Sequence, residues 1–377
     1  MVIGIDASRA FLRERTGIEE YAYQILKHLK DKLGENQVVL YLRESELNQP
    51  RIDELALPKH WKVIVIRWPI FWTQLGLSLE LLLHPVDVLF VPAHTVPLIH
   101  PRDTVVTIHG LEYEFCPAAY SWWERIYMRC SIRLSCWWAR KIIAVSENTR
   151  KDLVQLYKIP AEKITVVYEG YNADSKSRNT NYKPQTSIES PYLLFVGRLE
   201  ERKNVIGTIN AFKILKETYH IPHKLVLAGK PGYGYQKIQQ ALAASEASPQ
   251  LNRDETLGIS RDIIETGFVS EAEKWHLLSQ ADVFLFPSFY EGFGLPILEA
   301  QAAGVPVITS RAASMEEVAG IKSVLVNPND HQEIAQAAHQ LLEDQPLRSA
   351  IIEAGRENVL RFSWERSANL IAKMLIK

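Results

Sequence analysis

Two carboxylates, Glu291 and Glu299, bracket a Gly-rich turn in the segment FPSFYEGFGLPILEAQAAGVPVITS (286–310). An apolar run ends at Phe286, Gly292 and Gly294 follow, and a helical pattern starts near Leu295–Pro296. Proline is at home in a first helical turn, and glycine lets the backbone approach a ligand closely. A helix N-terminus offers amides and the positive end of its dipole. The stretch Gly292, Phe293, Gly294 and Leu295 is therefore expected to hold a phosphate. Glu291 and Glu299 could then accept hydrogen bonds from sugar or ribose hydroxyls of the same ligand. A second group, Arg198 and Lys203, lies in FVGRLEERKN (195–204), just past another strand pattern that ends at Gly197. A guanidinium fork and an ammonium at that place suit a diphosphate. A departing diphosphate gains negative charge, and two fixed cations with helix amides could stabilise it without a metal ion. No Asp-x-Asp that would hold a divalent cation stands out.

Both groups need rigid strand ends to position them, and the sequence supplies these in two series. Apolar, β-branched runs at 2–6, 38–42, 62–66, 86–91, 103–109, 141–146 and 164–169 alternate with helical patterns. Such runs are those of parallel strands covered on both faces, and the alternation is that of βαβ units. Residues 172–190 (NADSKSRNTNYKPQTSIES) are polar and lack an apolar period, so they read as a linker. A second series follows at 192–197, 224–229, 262–269, 281–288, 305–310 and 323–327. The expectation is an α/β protein of two Rossmann-like β/α/β domains facing across a cleft. Ligands of such sheets bind at the carboxyl ends of the strands. The domains would be 1–172 and 191–361, joined by a linker at 173–190.

Bulk properties exclude several classes. The formal net charge of the 377-residue chain is −1, so no nucleic-acid partner is expected and phosphate binding must be local. The three cysteines, Cys116, Cys130 and Cys136, form neither a disulfide framework nor a CxxC metal pair. They read as reduced thiols of a cytoplasmic protein. The start, MVIGIDASRA, reads as a strand and not as a signal peptide, and no run approaches the ~18 apolar residues of a membrane span. No G-x-G-x-x-G follows the first strand, which disfavours an NAD oxidoreductase.

The second half resembles the family-4 retaining glycosyltransferases of the GT-B fold. The resemblance rests on GRLEERKN (197–204), LAGKPG (227–232), ETGFVSEAEKWHLLSQADVFLFPSFYEGFGLPILEAQAAGVPVITS (265–310) and FSWERSA (362–368). It implies that Arg198 and Lys203 bind the donor diphosphate and that Glu299 binds the ribose. It places Glu291 at the sugar or reaction centre, the backbone around Gly267 and Phe268 against the base, and a last helix over 362–377 back on the first domain. In the first half, RTGIEEYAYQIL (15–26) resembles the family's Gly-rich loop, with Gly17 near the donor phosphate or the acceptor. TIHGLEYEF (107–115) resembles its strand-end histidine motif, so His109 would hydrogen-bond a donor hydroxyl or the acceptor. Gly110 stands where that motif commonly has Asp, and Glu169 where Asn is more usual. The resemblance implies a metal-independent, cofactor-free transfer of a hexosyl unit from a nucleotide diphosphate sugar to a saccharide or lipid-linked saccharide. GDP-mannose is the first expectation for the donor and a UDP-sugar the second. Leaving phosphate on the attacked face would take the acceptor proton. A nucleotide-sugar epimerase and a non-catalytic subunit on the same fold are the alternatives.

Some features have two readings. Gly232 and Gly234 in GKPGYG read as a plain turn, since no Lys–hydroxyl pair of a P-loop follows. In YSWWERIYMRCSIRLSCWWARK (120–141), Arg125, Arg129 and Arg133 share one helix face, and Trp123, Tyr127, Cys130, Leu134 and Trp137 fill another. That helix either packs its apolar face on the first-domain sheet or lies on an anionic membrane, at the inner face in a cytoplasmic protein.

Overall fold

The computed structural model describes residues 1–12, 17–44, 49–171, 188, 191–246 and 262–376. The chain forms two compact units. One comprises Met1–Tyr113, Trp122–Gly170 and Phe362–Lys377, the other Glu114–Ser121 and Tyr171–Arg361. The linker expected at 173–190 lies outside the described residues, apart from Ile188. Residues Glu114–Ser121, assigned by the sequence to the first domain, group with the second unit, where the Phe115 ring stacks on Tyr290 with centroids 4.6 Å apart.

The first unit carries a seven-stranded parallel sheet: β1 (Val2–Asp6), β2 (Gln37–Arg43), β3 (Trp61–Ile66), β4 (Val88–Val91), β5 (Asp103–Ile108), β6 (Lys141–Ala144) and β7 (Ile164–Val166), in the order β3-β2-β1-β4-β5-β6-β7. The second carries six parallel strands: β8 (Tyr192–Val196), β9 (Lys224–Ala228), β10 (Ile263–Gly267), β11 (Val283–Phe286), β12 (Val307–Ser310) and β13 (Val324–Val326), in the order β10-β9-β8-β11-β12-β13. Both are doubly wound sheets. Their central strands β4, β8, β11 and β12 are buried at every position, which is why they read as unbroken apolar runs. The run at 62–66 also reads as fully buried, yet β3 is an edge strand with Lys62, Val63 and Val65 exposed. An apolar run marks a strand but not its rank in the sheet.

Most strands stop short of the apolar run that announced them. His109, Gly197, Gly229, Phe268 and Pro287 fall just beyond strand carboxyl ends, where the chain turns away and can face a ligand. Gly229 packs closely against the neighbouring strand end: a Cβ there would collide with the Gly197 carbonyl.

The helix Trp364–Leu375 belongs to the first unit. Its buried residues Trp364, Ala368, Ile371 and Leu375 recur at helical spacing and pack on the helix Gly17–Leu29. Burial of each large side chain of this kind stabilises by about 1.5–3 kcal/mol. Polar contacts fix its ends. Ser363 caps the N-terminus, Ser367 Oγ donates to the Tyr168 carbonyl at 2.5 Å, and Arg140 Nη2 donates to the Met374 carbonyl at 3.1 Å. Gly170 lies beneath the cap, where a Cβ would collide with backbone at Ser363 and Trp364. Gly170→Ala is therefore expected to destabilise the protein by about 1–3 kcal/mol or more in urea denaturation. Gly17→Ala, with nothing within 4 Å of its Cβ, should change stability little. Equal midpoints for the two variants would contradict this packing.

Candidate functional site

The carboxylate segment of the second unit sits in the turn between β11 and the helix Leu295–Ala303. Side chains from other elements hold this turn through its carbonyls. Asn204 Nδ2 donates to Pro287 O at 3.0 Å and Pro328 O at 2.6 Å, and Arg202 Nη1 donates to Tyr290 O at 2.8 Å. Ser310 Oγ donates to Ser288 O at 2.6 Å, and Ser314 Oγ donates to Glu291 O and Phe293 O at 2.8 and 2.7 Å. A turn can be buried only if such groups find partners, and here buried Asn204, Ser310 and Ser314 provide them. Asn204 itself takes the left-handed conformation, φ 55°, and caps the helix Val205–Thr218 through Gly207 N. Gly294, at φ 113°, caps the helix Leu295–Ala303 without any side-chain cap, and Pro lies in the first turn. The helix N-terminus at Gly294–Leu295 is thus built from backbone alone, as an anion site requires.

Glu291 is 8% exposed and lies between two cations. Lys203 Nζ is 2.7 Å from its Oε1, and Arg202 Nη1 is 3.1 Å from its Oε2. Burial alone would push the carboxyl up; Arg202 and Lys203 outweigh it and hold the pKa down at about 2. Arg202 Nη2 also pairs with Glu200 at 2.7 Å, and Lys203 Nζ lies 5.0 Å from the centre of the Phe286 ring. The four charges alternate, two of each sign. A diphosphate would add negative charge to a group that is already balanced, so its cations must be redistributed from Glu291 and Glu200 or supplemented by helix amides.

Glu299 is held separately. Lys274, on the helix Glu271–Gln280, is 2.5 Å from Glu299 Oε1 and 2.9 Å from Glu271 Oε2. Burial disfavours the charged lysine, but the two carboxylates prevail and hold its pKa above the ordinary value. Arg198 is exposed on the segment after β8. A Cβ at Gly232 would meet the Arg198 side chain at 2.7 Å. Gly232 is thus more than a turn residue: it makes room for Arg198. Gly267 has φ 71°, and the exposed Phe268 ring has Lys230 Nζ 4.7 Å from its centre.

The remaining sequence candidates lie in the first unit. Gly17 begins the helix Gly17–Leu29 and is exposed. His109 follows β5 and is enclosed. Its Nε2 donates to Pro92 O at 2.8 Å, and its Nδ1 faces Glu169 Oε1 at 3.2 Å. A carbonyl only accepts, so Nε2 carries the hydrogen of that contact, and Nδ1 lies against the Glu169 carboxylate. Both ring nitrogens are committed within the unit, so neither is turned to a sugar hydroxyl. The carboxylate beside His109 is that of Glu169, 60 positions along the chain. The half-buried His94 ring packs on His109 with centroids 5.2 Å apart.

The structure thus joins Lys203 to Glu291 and places Glu299 with Lys274. Sequence reasoning passed over Arg202, Asn204, Lys274 and Ser314, and it marked Glu169 as a departure without seeing its partner. Arg202 stands beside Lys203 in the run that drew attention, and Glu271–Lys274 is a recognisable i, i+3 pair. The partnerships of Asn204, Ser314 and Glu169 are made by folding and leave no local pattern. Among the described residues no group of three or more His, Cys, Asp or Glu could hold a metal ion.

Comparison with known proteins agrees with this architecture. The profile of the glycosyl transferases group 1 matches residues 178–358, and that of glycosyltransferase family 4 matches residues 15–175. The chain is 30% identical over 267 residues to the O-antigen chain mannosyltransferase B of Escherichia coli, covering 69% of this chain and 67% of that one. It is 26% identical to the serotype-specific mannosyltransferase WbdA of Escherichia coli over 62% of this chain, but spans only 28% of that longer protein. Among solved structures, Anabaena HepE in complex with UDP and glucose superposes with a TM-score of 0.71 at 19% identity, over 99% of this chain and 98% of the other. The fold is GT-B, and the chain belongs to the family-4 glycosyltransferases, the glycosyl transferases group 1.

Proposed function

We propose that this glycosyltransferase moves a hexosyl unit from a nucleotide diphosphate sugar to a saccharide or lipid-linked saccharide in glycan biosynthesis, with retention of anomeric configuration and without a metal ion. The observation that carries the reading is the 2.7 Å contact between Lys203 and Glu291, which brings the two chemically suggestive segments of the sequence to one place. Lys203 and Arg198 would bind the diphosphate, with Arg202 as a further cation and the backbone of Gly292, Phe293, Gly294 and Leu295 as amide donors. Glu299, oriented by Lys274, would accept from the ribose, and the backbone at Gly267 and Phe268 would meet the base. Glu291 would support charge growing on the sugar ring as the bond to the leaving phosphate lengthens. The leaving phosphate oxygen would take the acceptor proton, a front-face route that keeps configuration. Gly17 would lie near the donor phosphate or the acceptor, and His109 would order the turn at Pro92–His94.

GDP-mannose is the first reading for the donor, since the two relatives described above are named mannosyltransferases. A UDP-sugar is the second, favoured by the UDP and glucose bound to HepE. A thermal-shift panel of GDP-mannose, UDP-glucose and their nucleotides decides between them, because a ligand stabilises with the logarithm of its concentration over its Kd. NMR of the product reads the anomeric configuration, and an inverted product would end the retaining assignment. A product formed without acceptor would point to an epimerase instead.

Lys203→Ala and Glu291→Ala are expected to lower kcat by roughly 10²–10³-fold while the protein stays folded. Near-wild-type transfer in both would refute the site. If Glu291 acts at the sugar, Glu291→Gln keeps nucleotide affinity while turnover falls; if it is only a counter-ion to Lys203, both variants lose nucleotide affinity alike.

The same ion group makes stability depend on acid. The Glu291 pKa is about 2 in the fold against an ordinary 4.5. Its stabilisation is complete above pH 4.5 and is lost as pH falls towards 2, with a magnitude on the order of 3 kcal/mol. Glu291→Gln should therefore be less stable at pH 7 but show a flatter loss between pH 4.5 and 2 in urea titrations. An unchanged slope there would show that the carboxylate is not held by its cations.

We further propose that the helix Trp122–Trp138 lies on an anionic lipid surface. It buries only Ile132, Ser135 and Cys136. Trp123 and Trp137 are each 72% exposed, Tyr127 and Leu134 are exposed with them, and Arg129 and Arg133 lie outside. The apolar face is therefore not packed on the sheet. No helix of the described residues is long and apolar enough to cross a membrane. Flotation with vesicles containing phosphatidylglycerol at low salt should carry the protein, and Trp123→Ala with Trp137→Ala should weaken it. Absence of binding in the unaltered protein would end the idea.

A further inference from the structure

A cavity of about 280 Å³ opens in the first unit at the carboxyl ends of β1 and β2. Arg9, just after β1, and Arg43, the last residue of β2, line it together with Phe71, Trp72, Gln74 and Tyr127. None of the described residues that line it is acidic. Each guanidinium is steadied from the side: Arg9 Nη1 lies 3.4 Å from Glu19 Oε1, and Arg43 Nη2 donates to Pro69 O at 3.1 Å. A guanidinium has five N–H donors, so a contact at its side is compatible with others of its N–H groups meeting an oxyanion.

The wall carries three further signs of a built site. Gln74 donates through Nε2 to Val96 O at 3.2 Å, while its Oε1 is buried and has no partner. A buried amide oxygen without a donor is costly, and a ligand hydroxyl would satisfy it. Phe71 takes the left-handed conformation, φ 51°, which is strained for a large aromatic residue and is maintained where the surroundings require it. It begins the π-helical turn Trp72–Leu77, a wide turn of the kind found at functional sites. Trp72 is buried, with its indole N–H donated to Ile66 O at 3.2 Å, so its orientation is fixed. Phe71 and Tyr127 are exposed aromatic surfaces at the rim.

We infer that this cavity binds an anionic saccharide: a phosphate or carboxylate group held by Arg9 and Arg43, with a sugar hydroxyl donated to Gln74 Oε1 and the ring against the aromatic side chains. Naming that molecule the acceptor of transfer rests on the function proposed above; the binding itself does not. The chemistry is shared by a free sugar phosphate and by a phosphate-linked sugar displayed on a lipid.

The test uses the full chain and calorimetric titration with mannose 1-phosphate, mannose and inorganic phosphate, and vesicle flotation with phosphatidylcholine carrying a polyprenyl phosphomannose. Mannose 1-phosphate, soluble or on vesicles, should bind at least tenfold tighter than mannose. The Arg9→Gln and Arg43→Gln variants should lose that preference, and Gln74→Leu should weaken the sugar phosphate but not inorganic phosphate. Binding of GDP or UDP should be unchanged in these variants, which also reports that they fold. Binding should persist in Lys203→Ala, where the nucleotide site is damaged. Response to the vesicle-borne sugar alone, with the same arginine dependence, supports the inference with a lipid as the source. Equal affinity for mannose and its phosphate, or loss of binding in Lys203→Ala but not in the arginine variants, overturns it. A nucleotide site that fails while the arginine dependence holds would instead strike only the function proposed above.

Discussion

A buried carboxylate must have cations beside it, and this requirement organises the second unit. Glu291 lies inside because its turn is inside, and the turn can be inside because its carbonyls are satisfied by Asn204, Arg202, Ser310 and Ser314. Arg202 serves both needs, since one nitrogen meets the Tyr290 carbonyl and the Glu291 carboxylate. The segment after β8 and the turn after β11 are therefore a single structural object, although 88 positions separate Lys203 from Glu291. A change in either segment is felt in both. The site is also poised: its four charges balance without ligand, so an arriving anion competes for cations already oriented.

Much of this was legible before the fold was known. Strand existence was visible because a doubly covered parallel sheet demands continuous apolar runs, and each of the thirteen expected strands occurs among the described residues. Glu291, Lys203 and the Gly294 turn were visible because their residue types are unusual beside strand ends. Strand rank was not legible, as β3 shows, because an edge and a centre differ by neighbours and not by composition. Arg198 attracted attention that its neighbour Arg202 shares, because two arginines in one run look alike until a short turn points one at the carboxylate. Gly110 and Glu169 looked like unrelated departures. Folding brings Glu169 to His109, the chain neighbour of Gly110.

The first unit has a different character. Its histidine pair is closed upon itself, while polar capacity facing outward is concentrated at the ends of β1 and β2. The strained Phe71 and the π-helical turn behind it shape that region, and the exposed tryptophans of the helix Trp122–Trp138 lie in the same unit. Tyr127 belongs to both, lining the cavity and standing on the exposed face of that helix. A group that reaches the cavity and one that touches the helix can therefore meet at a shared side chain.

The docking of Trp364–Leu375 on the first unit also bears on biosynthesis. That unit is nearly finished at Gly170, yet its last helix follows some 200 residues later. At ~5–20 residues per second, translation reaches that helix roughly 10–40 s afterwards. During this interval the apolar groove beside Tyr21 and the helix Gly17–Leu29 is uncovered on the ribosome. The nascent chain offers there a surface that chaperones bind, and early-ended translation products would keep it open.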